Sequence, residues 1–163
     1  MGNKGAVAVS LQFNETRIAF VNSHLAAHLN KYEDRNQDYR YICTNLNLAK
    51  ESSGSASASL LNYYHYLFWF GDLNYRLEAD QQEVISLVRQ ARYDDLLLHD
   101  QLHRERIWGK TFAGFSEGQL SFPPTYRYIR GVRTYNEEVC HDTLRFSLFL
   151  SLSPSLSRSP LDL

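Results

Sequence analysis

The chain has 163 residues, 44% of them apolar and 21% charged, with Lys+Arg 17 against Asp+Glu 18. That length supports one domain with a real core, and a net charge of −1 argues against a non-specific nucleic-acid binder, which carries a basic excess. The opening Met-Gly-Asn-Lys-Gly-Ala lacks an apolar h-region, and the most apolar stretch, 60–70, is interrupted by Asn62 and His65, so neither a secretory signal nor a spanning helix is read.

In chain order, Val7, Val9, Leu11 and Phe13 alternate along residues 6–13, the period of a half-buried strand. Asn14-Glu15-Thr16 reads as a turn, and 17–25 as a second strand pairing with the first as a hairpin. The run Ile18 to Val21 suggests burial on both faces. Asn30 and Glu33 have the spacing of a capping box, ahead of a helix with Tyr32, Tyr39, Ile42, Cys43 and Leu46 on one face. Residues 50–59 are a Ser/Ala-rich loop, and Tyr66 to Phe70 a strand that stops at Gly71. Asp80 is placed to cap a helix carrying Val84, Leu87, Val88 and Ala91, and a further helix is read over Leu96 to Arg106. Phe122 to Tyr128 is extended and stiffened by two prolines. From Phe146 the chain becomes a Ser/Leu alternation, expected to be disordered rather than a strand. Cys43 and Cys140 fit no metal spacing and read as free thiols. Strands interleaved with helices imply a layered α/β fold.

Four segments could carry chemistry. In Trp69-Phe-Gly-Asp-Leu-Asn-Tyr-Arg76, Asp72 and Asn74 sit at the carboxyl end of a strand, where open α/β sheets bind ligands, with the spacing that points two strand residues to one side. A carboxylate beside an amide suits activation of water. In Val21-Asn-Ser-His-Leu-Ala-Ala-His28, His24 ends a strand and could stabilise growing phosphoryl charge. His24 and His28 do not make a zinc pair, because no Glu lies between them and His24 is on a strand. Gly2-Asn-Lys-Gly5 offers Asn3 and Lys4 as donors to an anion, and Thr125-Tyr-Arg-Tyr128 offers Tyr126 and Arg127. Each segment alone also reads as an ordinary turn, cap or strand end.

Taken together and in order, with Arg35-Asn-Gln-Asp-Tyr39 between them, these segments resemble successive motifs of the inositol polyphosphate 5-phosphatases, over roughly residues 2–136. The resemblance implies part of a four-layer α/β sandwich of the DNase-I-like kind, two mixed sheets flanked by helices, with 1–136 as a partial catalytic domain and 137–163 as a divergent tail. It implies Mg2+-dependent hydrolysis of the 5-phosphate of phosphoinositides or soluble inositol polyphosphates by direct attack of water. Asp72 would be the base, Asn74 its phosphate-orienting partner, and His24 and Asn3 contacts to the scissile phosphate. Lys4, Tyr126 and Arg127 would read the neighbouring phosphate. The family's metal-binding glutamate lies upstream of the Gly-Asn-Lys-Gly motif, outside these residues, and its later Trp-Cys-Asp-Arg and Ser-Asp-His motifs do not follow. The chain is therefore expected to be marginally stable, with strand edges and apolar faces uncovered, and to have little activity by itself. It is expected to be cytoplasmic and peripheral at the cytoplasmic membrane face, with no nucleic-acid partner. The readings set against this one are a non-catalytic pseudoenzyme fragment that binds phosphoinositide headgroups, and a nuclease- or sphingomyelinase-like relative on the same fold.

Overall fold

The computed structural model describes residues 3–46, 60–126, 128–132 and 148–152. Its centre is a five-stranded sheet in the order β1-β2-β3-β5-β4. Strands β1 (Gly5–Phe13) and β2 (Thr16–His24) form the expected antiparallel hairpin. Asn14 takes a φ of 52° at its turn, a left-handed conformation that asparagine tolerates better than most residues. Strand β3 (Tyr66–Asp72) lies parallel to β2, so the segment between them crosses over one face of the sheet through α1 (Tyr32–Asn45) and the single turn α2 (Leu60–Tyr63). After β3 come α3 (Gln81–Arg89), α4 (Tyr93–Leu97), α5 (Gln101–Ile107), and a two-residue strand β4 (Ser116–Glu117).

The core lies between the sheet and α1. Ala19 and Val21 of β2 and Leu67 and Trp69 of β3 are buried there, with Tyr39 and Ile42 of α1 against them. Tyr39, Trp69, Phe112 and Phe115 pack as an aromatic cluster, Trp69 standing edge-on to Phe112 at 5.2 Å between ring centres. Edge-to-face contacts of this kind add about 0.5–1.5 kcal/mol beyond the buried area. The Trp69 indole N–H donates to Ser23 Oγ at 2.9 Å, which satisfies its polar group in an otherwise apolar place.

Several local expectations are met and several corrected. Asp80 caps α3 by accepting from the Gln82 N–H, and Val84 and Leu87 are buried beneath it. Ala91 falls past the end of that helix, with a φ of 54°. The Asn30–Glu33 capping box does not form. A 3-10 turn over Leu29–Lys31 precedes α1, whose N-cap is Lys31 with no side-chain cap. The helix read over Leu96 to Arg106 is two helices, because Asp100 accepts from the His103 N–H and starts α5 afresh. Residues 18–21 are not buried on both faces: Ala19 and Val21 are, while Ile18 and Phe20 are partly exposed. Val7, Val9, Leu11 and Phe13 do share one face, but that face is open, and it is Ala6 and Ala8 that turn to the core. The disordered Ser/Leu tail is corrected over β5 (Leu148–Leu152), which pairs antiparallel with both β3 and β4. The rest of that tail, the 50–59 loop and Cys140 lie outside the described residues, whereas Cys43 is a free, half-buried thiol. No helix among the described residues is long and apolar enough to cross a membrane.

Candidate active site

The site is assembled by strand register. Gly5 pairs with His24 across β1 and β2, and His24 pairs with Asp72 across β2 and β3. One row across three strands thus places the residues before β1 beside the last residues of β2 and β3. Lys4 Nζ donates to His24 Nε2 at 2.5 Å, and the same Nε2 lies 3.5 Å from Asp72 Oδ2. The side chains of His24 and Asp72 are 49% and 35% exposed, so the cluster is open to an incoming ligand. With Nε2 accepting from the ammonium, the ring carries its proton on Nδ1 in this arrangement. Asn3 stands exposed one residue before Lys4.

Asn74 behaves differently from what two-residue strand spacing predicts. Strand β3 ends at Asp72, and Asn74 has a φ of 60°, so the alternation of sides no longer holds there. Its side chain is buried: Nδ2 donates to the Leu25 carbonyl at 2.9 Å, and Oδ1 accepts from Arg76 Nη2 at 2.8 Å. In this conformation the amide ties the loop after His24 to the loop after Asp72. Tyr126 is half-buried on the extended segment that follows Pro123 and Pro124, and Arg127 lies outside the described residues.

The residues that sequence reading left without a role are those that hold this edge in shape. Leu25 N–H donates to the Asp72 carbonyl at 3.0 Å, and Ala26 N–H to Asp38 Oδ2 at 2.9 Å. Arg35, wholly buried on α1, donates from Nη1 to the carbonyls of Ala26 and His28 and from Nη2 to that of Leu29, at 3.1, 2.7 and 3.2 Å. Its Nη2 also donates to Gln101 Oε1 at 2.5 Å, and its guanidinium lies over the Tyr75 ring. Burial pushes the Arg35 pKa down to about 10, which still leaves it charged at neutral pH. Gln101 Nε2 in turn donates to Leu29 O and Glu78 Oε1. The signal available in the sequence was Arg35-Asn-Gln-Asp-Tyr39 itself, a charge and an amide on the helical face that also carries Tyr39 and Ile42.

Asp100, beside Gln101, is buried, and burial pushes its pKa from 3.8 up to about 7 against the opposing help of the His103 N–H. Between about 4 and 7 the folded state therefore holds a proton that the unfolded state has lost, and stability falls as pH rises through that window. Asp100→Asn keeps an N-cap acceptor without the charge. Its urea-unfolding free energy is expected to be flatter with pH from 4 to 7 than that of the unsubstituted chain; an unchanged slope would show that Asp100 is not the group responsible.

The described residues contain no group of three His, Cys, Asp or Glu side chains that could hold a metal ion. They do not by themselves fit a divalent-cation site, since Asp72 stands beside an imidazole and an ammonium rather than beside further carboxylates.

Residues 1–142 match Endonuclease/Exonuclease/phosphatase family 2. The chain is 47% identical over 133 residues to zebrafish (Danio rerio) phosphatidylinositol 3,4,5-trisphosphate 5-phosphatase 2A, covering 82% of this chain and 10% of that protein. It is 43% identical over 132 residues to mouse (Mus musculus) type II inositol 1,4,5-trisphosphate 5-phosphatase, covering 80% of this chain and 13% of that one. Among solved structures, the inositol polyphosphate 5-phosphatase domain of SPsynaptojanin, in complex with inositol (1,4)-bisphosphate and a calcium ion, superposes with a TM-score of 0.82 at 34% identity, covering 94% of this chain and 44% of that one. This chain belongs to the inositol polyphosphate 5-phosphatases. It spans about a tenth of the length of the curated relatives and less than half of the solved domain. A Cimex nitrophorin, as its ferrous NO complex, has the same fold at a TM-score of 0.68 and 25% identity over 92% of this chain and 48% of that one, so the fold alone does not specify phosphatase chemistry.

Proposed function

We propose that this chain carries the base and phosphate-contacting edge of a phosphoinositide 5-phosphatase site. The observation that carries the reading is the Gly5–His24–Asp72 row with Lys4 on His24, in a chain 47% identical to a phosphatidylinositol 3,4,5-trisphosphate 5-phosphatase. In the proposed reaction Asp72 Oδ2 takes the proton of the attacking water, and His24 donates to a phosphoryl oxygen as charge grows on it. A phosphate dianion entering the cluster draws the Lys4 ammonium off His24 Nε2, and that nitrogen, once it has taken up a proton from solvent while Nδ1 keeps its own, donates to the phosphate. Asn3 adds a donor on the same side, and Tyr126 and Arg127 bind the neighbouring phosphate of the inositol ring. Asn74 acts on phosphate only by releasing Leu25 and Arg76; in its buried conformation it positions the base. Mg2+ is the cation this reading expects. Its coordination needs more than the described residues supply, and no step here is routed through it. The substrate headgroup implies work at the cytoplasmic face of a membrane.

The test is magnesium-dependent phosphate release from a soluble phosphatidylinositol 3,4,5-trisphosphate. Asp72→Ala is expected to reduce turnover by about 10²–10⁴-fold, the range of general-base catalysis. Turnover that survives the substitution would sink Asp72 as base. A second reading, a non-catalytic headgroup binder, draws on the engaged Asn74 amide and on the lack of a metal-binding group among the described residues. A folded chain that binds inositol polyphosphate through Lys4, loses that binding on Lys4→Ala and never turns over would favour it.

A further inference from the structure

Helix α5 ends in an exposed tip that neither the core nor the candidate site uses. Ile107 is 69% and Trp108 59% exposed, side by side where the helix stops. The tip is fixed in shape. Gly109 takes a φ of 67°, its N–H donates to the Arg106 carbonyl at 2.9 Å, and the Lys110 N–H donates to that of Glu105 at 2.9 Å. This pair of bonds around a left-handed glycine closes the helix end. Cations hold the indole: Lys110 Nζ lies 4.6 Å and the Arg104 guanidinium 5.5 Å from the Trp108 ring centre. Arg40 of α1 reaches the same place, donating from Nη1 to the Lys110 carbonyl at 3.3 Å. Of the carboxylates that meet these cations, Glu105 is wholly buried and Glu78 meets Arg104. Positive charge therefore dominates the outer side of the tip, where Arg40 and Lys110 are exposed.

We propose that this tip docks on an anionic lipid bilayer, with Trp108 at the headgroup level, Ile107 toward the acyl chains, and Arg40, Arg104 and Lys110 among the phosphates. Three features select that occupant. Tryptophan, an apolar body with one N–H, concentrates at bilayer interfaces. The long basic side chains around it can lay their stems on apolar surface while their charge stays in the headgroup layer, each adding about fivefold in affinity for an anionic surface. Two apolar side chains on a convex tip fall far short of the roughly 800 Å² per partner of a stable protein interface, whereas a bilayer needs no matching shape. Gln101, at the start of α5, touches Arg35 behind the loop after His24, and Trp108 stands at the other end of that helix, roughly 10 Å along its axis. The contact is thus on the helical flank, beside the edge that carries His24 and Asp72. It deepens the reading given above, and in that sense rests on it, by giving a lipid-directed enzyme a hold on the bilayer separate from the headgroup in its site.

The two tryptophans make the test direct, because Trp69 is wholly buried and Trp108 meets solvent. The full chain is mixed with vesicles of phosphatidylcholine, with or without phosphatidylserine and free of phosphoinositide, and followed by tryptophan emission and co-sedimentation. The expected result is a blue shift and co-sedimentation with the phosphatidylserine vesicles, both weakened by salt. Lys110→Glu and Ile107→Ser keep Trp108 as the reporter, and Trp108→Ala is followed by sedimentation. Each is expected to weaken binding by about five- to tenfold with far-UV circular dichroism unchanged. Leu98→Ser, at an exposed position outside the tip, is expected to leave binding unchanged. A chain that ignores phosphatidylserine vesicles overturns the inference. So does equal binding to phosphatidylcholine alone, and so does binding that the three tip substitutions leave intact, which belongs to another surface. With no phosphoinositide present, failure here leaves the 5-phosphatase reading to its own phosphate-release test.

Discussion

Gly71→Ala is expected to abolish the ordered β2–β3 pairing at the site and to destabilise the chain by more than about 3 kcal/mol. Gly71 has a φ of 121°, which L side chains rarely adopt. A Cβ there would stand 2.3 Å from the Ser23 carbonyl oxygen and 2.9 Å from the Ser23 nitrogen, and both are backbone atoms of the paired strand. Nothing flexible can yield, so the strand must shift, and Asp72 and His24 are the neighbours that shift with it. Gly5→Ala is the matched control, in the Gly5–His24–Asp72 row next to that of Gly71, since a Cβ at Gly5 meets nothing within 4 Å. Urea unfolding should give Gly5→Ala within about 0.5 kcal/mol of the parent chain, while Gly71→Ala loses its cooperative transition. A Gly71→Ala chain with an unchanged midpoint would show that β2 and β3 are not held in this register.

The second large effect is expected at Arg35. Arg35→Met keeps volume and helix propensity but removes the donors to Ala26, His28, Leu29 and Gln101. It leaves three carbonyls and a buried amide oxygen without that partner, a loss expected to exceed about 3 kcal/mol. Arg35→Lys should restore little of it, because one ammonium cannot reach acceptors that the planar fork meets from two nitrogens. The expected signature is a lower urea midpoint in both variants, with Met and Lys similar. A lysine variant as stable as the parent would mean that charge, not the fork, holds residues 26–29. The effect on function would pass through His24, which ends β2 two residues before that segment, and so Arg35 is a positioning residue.

These two positions mark the boundary between what local sequence carries and what distant contacts decide. The hairpin of β1 and β2 was legible because alternation and a turn residue are neighbours in the chain. The Asp80 cap was legible for the same reason, an acceptor two residues from its donor. The capping box at Asn30 failed although its spacing was right: residues 26–29 are pulled into place by Arg35 and Asp38, and the chain enters α1 through a 3-10 turn. Propensity there is worth about 1 kcal/mol and yields to several buried hydrogen bonds.

The candidate site divides along the same line. The order of its motifs, and the residue types that suit phosphate, were present in the sequence by itself: Lys4, His24 and Asp72 are polar groups at strand ends, and a strand end is a local feature. That these three meet, and that Asn74 turns inward instead, depended on strand register and on a positive φ two residues past the end of β3. The sequence also determined that β1 has an apolar and a small-residue side. Only the tertiary structure decided which was covered, because α1 can approach closest over Ala6 and Ala8, which leaves Val7, Val9, Leu11 and Phe13 facing outward.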